Sequence, residues 1–223
     1  MILGLEGMKF GWLGEVTRLG DVDSVIKAAY LIELRHGPFT KGEFSSFASG
    51  VGFKEALAGV FLVRHGDGRY SLSELGRSRI KVVLAGGVYD VLHIGHLAAL
   101  REARSLGDVL VVIVASDVTV EMLKGRRPLF PGEDRRKLVE GLKPVDRAIL
   151  GYEDVGMGYE EVLKEVRPDI VAFGYDQEKL ERSLRGIIKE RKLGIKIVKL
   201  SKFDEEKFLS STLVRQRLSE SLS

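Results

Sequence analysis

From Ile80 onward the chain alternates two kinds of segment, and this alternation restricts the fold more than any other feature. Short apolar, β-branched runs occupy residues 80–85, 108–115, 148–151, 169–174 and 195–200. Between them lie stretches with apolar residues at helical spacing, such as Leu97, Leu100, Ala103 and Leu106, or Leu138, Leu142 and Val145. Apolar runs this short, bounded by turn residues, fit strands covered on both faces. Strands alternating with helices form a parallel sheet with helices on either side. The sequence therefore predicts an α/β fold with a Rossmann-like, doubly wound parallel sheet, which takes its ligands beyond the carboxyl ends of the strands.

The first of these runs leads into Gly86-Gly87-Val88-Tyr89-Asp90-Val91-Leu92-His93-Ile94-Gly95-His96. The segment reads as strand, glycine turn and helix. Glycines allow a ligand to approach the backbone, and the first amides of a helix lack internal partners, so the junction suits phosphate oxygens. His93 and His96, half of the four histidines in the chain, fall three residues apart at its mouth. A lone histidine at a helix start is more often a surface group than a catalyst. Two of them with the glycines and Asp90 inside eleven residues point to a site.

Here the chain resembles the HxGH nucleotidyltransferase superfamily, cytidylyltransferase-like branch, whose first motif is written GxFDxxHxGH. Tyr89 stands at the usual Phe position, and Val88 where Thr is frequent. The likeness extends to Pro131-Gly132-Glu133-Asp134-Arg135, similar to the family's P-x-E-[EQ]-R, and to Leu209-Ser210-Ser211-Thr212-Leu213-Val214-Arg215, similar to ISSTxxR. Within the superfamily, Lys124-Gly125-Arg126, residues 142–146 and Phe173-Gly174-Tyr175-Asp176-Gln177 look most like archaeal FAD synthetases, which are FMN adenylyltransferases. The resemblance implies His93, His96, Lys124 and Arg215 as catalytic residues. It implies nucleotide binding by Gly86, Gly87, Val88, Tyr89, Asp90, His93, Gly95, His96, Arg135, Gly174, Tyr175, Asp176, Ser210, Ser211 and Thr212. It also implies Mg²⁺, or another divalent cation, with a nucleoside triphosphate, ATP being favoured over CTP. Read alone, Ser-Ser-Thr is a helix cap and the basic segment after Lys124 a solvated face.

Residues 1–79 form a candidate first domain and 80–223 a second. Ser24 is expected to cap a helix running to Leu34 and stopped by Gly37-Pro38, with Val25, Ala28, Ala29 and Ile32 turned inward. Thr40 and Glu43 have capping-box spacing ahead of a second helix, and residues 53–58 suit a third. Runs at 60–64 and 69–72 around Asp67-Gly68 read as a hairpin, followed by a helix from Ser73 to Arg79. Three helices and a hairpin resemble a winged helix-turn-helix domain. Possible partners are therefore DNA through this domain, a second copy of the chain, and the small-molecule substrates. Its 10 Lys/Arg against 9 Asp/Glu offer little attraction for a polyanion.

The chain contains no cysteine, which excludes disulfides and thiolate chemistry. It has no apolar run of membrane-spanning length, and its first residues do not resemble a signal peptide, so a cytoplasmic protein without membrane contact is expected. The expected reaction is transfer of a nucleoside monophosphate from a triphosphate to a phosphorylated acceptor, most simply ATP and FMN giving FAD. The alternatives are a cytidylyltransferase acting on glycerol phosphate or another alcohol phosphate, and a winged-helix transcription regulator with a nucleotide-sensing domain.

Overall fold

The computed structural model describes residues 22–48, 53, 59–153, 158–202 and 220. The chain divides into two compact units, Met1–Ile80 and Lys81–Ser223.

In the first unit, helix α1 (Val22–His36) buries Val25, Ala28, Ala29, Tyr30 and Ile32. Ser24 lies inside this helix rather than capping it. Arg35 and His36 extend its last turn past Leu34, where basic groups complement the helix dipole. The stop is at Gly37, whose left-handed backbone (φ 76°) lets its N–H reach Glu33 O. Helix α2 (Lys41–Phe47) carries the expected capping box. Thr40 Oγ1 accepts from Glu43 N at 3.2 Å, and Glu43 Oε2 accepts from Thr40 N at 2.7 Å.

Strands β1 (Leu62–Arg64) and β2 (Tyr70–Leu72) pair antiparallel, with Leu62 opposite Leu72. Phe39 adds a further rung by exchanging two backbone hydrogen bonds with Tyr70. Phe44, Phe53 and Tyr70 meet edge to face over this ladder, closing a core that includes Val25, Ala29, Ile32 and Leu62. Helix α3 (Glu74–Ser78), capped by Ser73, ends the unit. Of the expected third helix, only Phe53 is among the described residues.

The second unit is built on β3 (Val82–Gly87), β4 (Val109–Val114), β5 (Arg147–Leu150), β6 (Ile170–Phe173) and β7 (Lys196–Lys199). All pair parallel, in the order β5-β4-β3-β6-β7. The order reverses direction between β3 and β6, which defines the switch point of a doubly wound sheet. Connecting segments carry helices α4 (Ile94–Ser105), α5 (Asp117–Lys124), α6 (Gly132–Glu140), α7 (Gly158–Val166) and α8 (Glu178–Glu190). The core is made by β3, β4 and β6 residues such as Val83, Leu110, Val112 and Ala172, covered by Leu100, Ala103 and Val139 from the helices.

An aspartate precedes three of the strands and ties the amino-terminal edge of the sheet together. Asp108 Oδ2 accepts from Lys81 N at 2.7 Å, Asp146 Oδ2 from Leu110 N at 2.8 Å, and Asp169 Oδ2 from Val82 N at 2.7 Å. Each carboxylate satisfies an amide at the start of the neighbouring strand, where the ladder has no carbonyl to offer. The fold is thereby pinned at the end of the sheet away from the expected ligand side.

Helix α6 departs from its expected apolar face. Leu138 is exposed, the helix ends before Leu142 and Val145, and the inward stripe is Gly132, Arg135 and Val139. The i, i+4 pair of the helix facing the core is an arginine and a valine, while Leu142 and Val145 pack on the core from beyond its end.

Among the described residues, no helix is long and apolar enough to cross a membrane.

Candidate active site

The glycines of the first motif are not loop residues. Gly86 and Gly87 are the last two residues of β3, paired with Ile113 and Val114 of β4. The turn begins only at Val88. Tyr89 then takes a left-handed backbone conformation (φ 52°), uncommon for an aromatic residue, and its ring folds back over the strand end. A Cβ on Gly87 would lie 2.9 Å from two carbons of that ring, so glycine is required there to seat the tyrosine. Tyr89 is buried, and burial pushes its hydroxyl pKa up. Its contribution to the site is the wall it provides for His96, whose ring lies 5.1 Å away.

His93 is the N-cap residue of α4, and His96 lies in its first turn. Their rings stack at 3.8 Å with an interplanar angle of 26°. Unlike Thr40, Ser73 and Ser116, which cap their helices through side-chain oxygens, His93 makes no side-chain cap bond among the described residues. The His96 amide is taken up by His93 O at 3.0 Å, and among the described residues no side-chain oxygen competes for the amides of Ile94 and Gly95 that precede it. His96 Nδ1 is buried without a hydrogen-bond partner among the described residues. Burial lowers the pKa of both rings, and for His96 burial together with neighbouring His93 brings it to about 4. At neutral pH the ligand-free pair is therefore uncharged, two imidazole N–H donors beside the positive end of a helix. An anion at this position would favour protonation again.

Two loops flank this junction and are locked to each other. From the first, Asp90 is buried, and its Oδ1 accepts from Leu129 N at 2.6 Å and from Phe130 N at 3.3 Å. Its Oδ2 faces Arg126 Nη1 at 3.5 Å. In return Arg135, just after the second loop, sends its fully buried guanidinium back across the strand ends. Nε donates to Phe130 O (2.9 Å), Nη1 to Val88 O (2.6 Å), and Nη2 to Ala115 O (2.8 Å) and Asp117 Oδ1 (2.7 Å).

Arg135 thus directs its donors into the protein, as a bolt for the loops after β3 and β4 and the approach to α6. Asp90 likewise holds the 126–130 loop. This loop brings Arg126 and Arg127 into the open after Lys124, at the exposed end of α5, which stops at a left-handed Gly125 (φ 65°).

Across the switch point, Gly174 ends β6 and is half-buried, whereas Tyr175 and Asp176 are exposed. Gln177, which had no assigned role, bridges the two sides. Its Oε1 accepts from Gly174 N at 2.8 Å and its Nε2 donates to Gly86 O at 2.9 Å. The structure thus brings Gly86, Gly87, Val88, Tyr89, Asp90, His93, Gly95 and His96 together at the carboxyl end of β3, with Gly174 opposite. Ser210, Ser211, Thr212 and Arg215 lie outside the described residues. Asp117 and Gln177 escape sequence reasoning because an acidic helix start and a glutamine after a strand are common.

Two outcomes test this geometry. In the free protein, ¹⁵N spectra of the imidazoles should show His96 neutral down to pH near 4, well below an ordinary histidine at ~6.5. Because the folded pKa is the lower one, the unfolded chain binds the extra proton between those values, so this group's stabilising effect is present above pH ~6.5 and is lost as pH falls toward 4. Titration of His96 near 6.5 would contradict the buried, stacked arrangement. Second, Arg135→Met should destabilise the fold by roughly 2–4 kcal/mol in denaturant melts, because buried carbonyls lose their donor. Unchanged stability would place the guanidinium elsewhere.

Comparison with known proteins agrees with this arrangement. Residues 84–217 match the model of the cytidylyltransferase-like family. The FAD synthase of Aciduliprofundum boonei is 47% identical over 123 residues, covering 55% of this chain and 80% of the relative. That of Thermoplasma acidophilum is 45% identical over 138 residues, 62% of this chain and 94% of the relative. The Pyrococcus abyssi FAD synthase is 37% identical over 145 residues, 65% of this chain and 96% of the relative. Among solved structures, the lipopolysaccharide core biosynthesis protein of Thermoplasma volcanium superposes with a TM-score of 0.52 at 43% identity, covering 56% of this chain and 99% of that one. With the HxGH junction at the switch point of its sheet, this chain belongs to the cytidylyltransferase-like family and is a nucleotidyltransferase.

Proposed function

We propose that the protein is an FMN adenylyltransferase, joining ATP and FMN to give FAD and pyrophosphate. The observation that carries the reading is the stacked His93–His96 pair at the uncapped start of α4, beside the switch point of the sheet. The choice of ATP and FMN is supported by the FAD synthases that match this chain along most of their own length.

In this reaction a phosphate oxygen of FMN attacks the α-phosphorus of ATP. The bond from that phosphorus to the bridging oxygen breaks, and pyrophosphate departs with the electron pair. The nucleophile is an ionised phosphate, so the protein supplies no base. Its task is to hold two anions together and to neutralise charge on the leaving group. The first amides of α4 and the two imidazoles serve the triphosphate from one side. Lys124, Arg126 and Arg127 serve it from the loop that Asp90 holds, and Ser210, Ser211, Thr212 and Arg215 complete the phosphate site.

The described residues contain no group of three or more His, Cys, Asp or Glu side chains able to hold a metal. Mg²⁺ commonly binds through substrate phosphates and water, so here it would arrive with the triphosphate. When bound, it neutralises phosphate charge. The helices, hairpin and aromatic core of the amino-terminal unit fit a winged helix, which we assign to assembly or regulation and not to chemistry, since every residue given a chemical role follows Gly86.

Incubation with Mg²⁺, ATP and FMN should yield FAD by chromatography with matching pyrophosphate release. CTP with glycerol phosphate, run in parallel, should yield nothing comparable, and the reverse result would make the protein an alcohol-phosphate cytidylyltransferase. His96→Ala should lower turnover about 10²–10³-fold, the usual effect of removing a donor aimed at developing charge. A variant that turns over like the intact protein would remove the histidine pair from the mechanism.

A further inference from the structure

We propose that Gln177 is a positioning residue that sets the width of the nucleotide crevice at the switch point. The β3–β6 ladder ends at Ala85 opposite Ala172, and beyond it the two strands part. At the parting, Gly86 presents a carbonyl on one side and Gly174 an amide on the other. The Gln177 side chain spans them, donating to Gly86 O at 2.9 Å and accepting from Gly174 N at 2.8 Å. The amide orientation follows from the partners, because the reverse would set N–H against N–H and carbonyl against carbonyl. A Cβ on Gly174 would come within 3.5 Å of the Gln177 amide carbon and oxygen, so the amide lies close against the glycine.

Two further facts indicate that this bridge serves the crevice more than the helix. Gln177 is the N-cap residue of α8, yet it makes no side-chain cap bond among the described residues. Its backbone N–H already closes the turn onto Gly174 O at 3.1 Å. The side chain is directed across the sheet to the β3 terminus, seven residues before His93. An amide suits this place because it donates and accepts at once. An ionised glutamate lacks the donor, a lysine lacks the acceptor, and asparagine is one methylene shorter. With Gly86 and Gly174 held at fixed separation, the histidine junction and the Tyr175-Asp176 turn face each other across a gap of constant width.

The assignment of that gap to a nucleotide rests on the function proposed above, so the test separates the two. Calorimetry measures the affinity of the intact protein, Gln177→Met and Gln177→Glu for MgATP without acceptor, from pH 8 to pH 4.5, with FAD formation followed separately. Gln177→Met, which can form neither bond, should weaken MgATP binding roughly tenfold at every pH, the consequence of losing two net hydrogen bonds. Gln177→Glu should be weakened as much at pH 8, where its carboxylate meets the Gly86 carbonyl. As pH falls and the acid regains a proton, it can donate to Gly86 O and accept from Gly174 N, so its affinity relative to the intact protein should recover to within about threefold.

Such recovery, absent in the methionine variant, is not produced by a general loss of folding. Native affinity in Gln177→Met, or a Gln177→Glu ratio that does not change with pH, overturns the inference. MgATP binding with no FAD formed overturns the FMN adenylyltransferase reading alone. Failure of the intact protein to bind MgATP overturns both.

Discussion

The arrangement of the second unit depends on one buried guanidinium. Arg135 reaches the carbonyls just past the ends of two adjacent strands, at Val88 and Ala115, and a third at Phe130 on the approach to its own helix. A cation in such a place must be compensated, and here the compensation is spread over three carbonyl dipoles and the Asp117 carboxylate. Because its donors form a rigid planar fork, fixing one loop constrains the others. Asp90 returns the favour from the opposite direction through the amides of Leu129 and Phe130. The turn that leads to the histidines is held by this network.

This division of labour explains why the reactive face of the sheet can be polar without being loose. The aspartates at the amino-terminal edge satisfy strand amides, and the apolar core lies between. At the carboxyl edge, the polar groups that would otherwise need water are matched by Arg135, Asp90 and Gln177. The imidazoles, the first turn of α4 and the basic loop lie at this same edge. Neutral imidazoles are compatible with close stacking, whereas two imidazolium rings at 3.8 Å would repel.

Much of this was legible in the sequence because it rests on local patterns. Strand runs, the Thr40–Glu43 box and the hairpin at Asp67-Gly68 are set by neighbours within a few residues. The family resemblance located the histidine junction as well. The misreadings share a cause, which is that a side chain's partner lay far away in the chain. The buried partners of Arg135 were not legible, because nothing in its neighbourhood announces that Val88 and Ala115 will supply acceptors. Leu138 was given the core face that Arg135 and Val139 occupy. Gly86 and Gly87 were placed in the loop, since glycine normally ends a strand, whereas here the pairing with Ile113 and Val114 carries the ladder through both. Gln177 could not be distinguished from a turn residue until Gly86 was seen opposite it.

Tyr89 has a bearing on how fast this protein can meet its substrate. Holding an aromatic residue in the left-handed region costs of order 1–3 kcal/mol, and the conformation persists only when its surroundings enforce it. Here they do, through the ring packed over Gly87 and the Val88 carbonyl held by Arg135. The turn's shape is therefore set by the chain's own packing. An incoming nucleotide need not wait for a loop to order around it, and little of its binding energy is consumed in doing so.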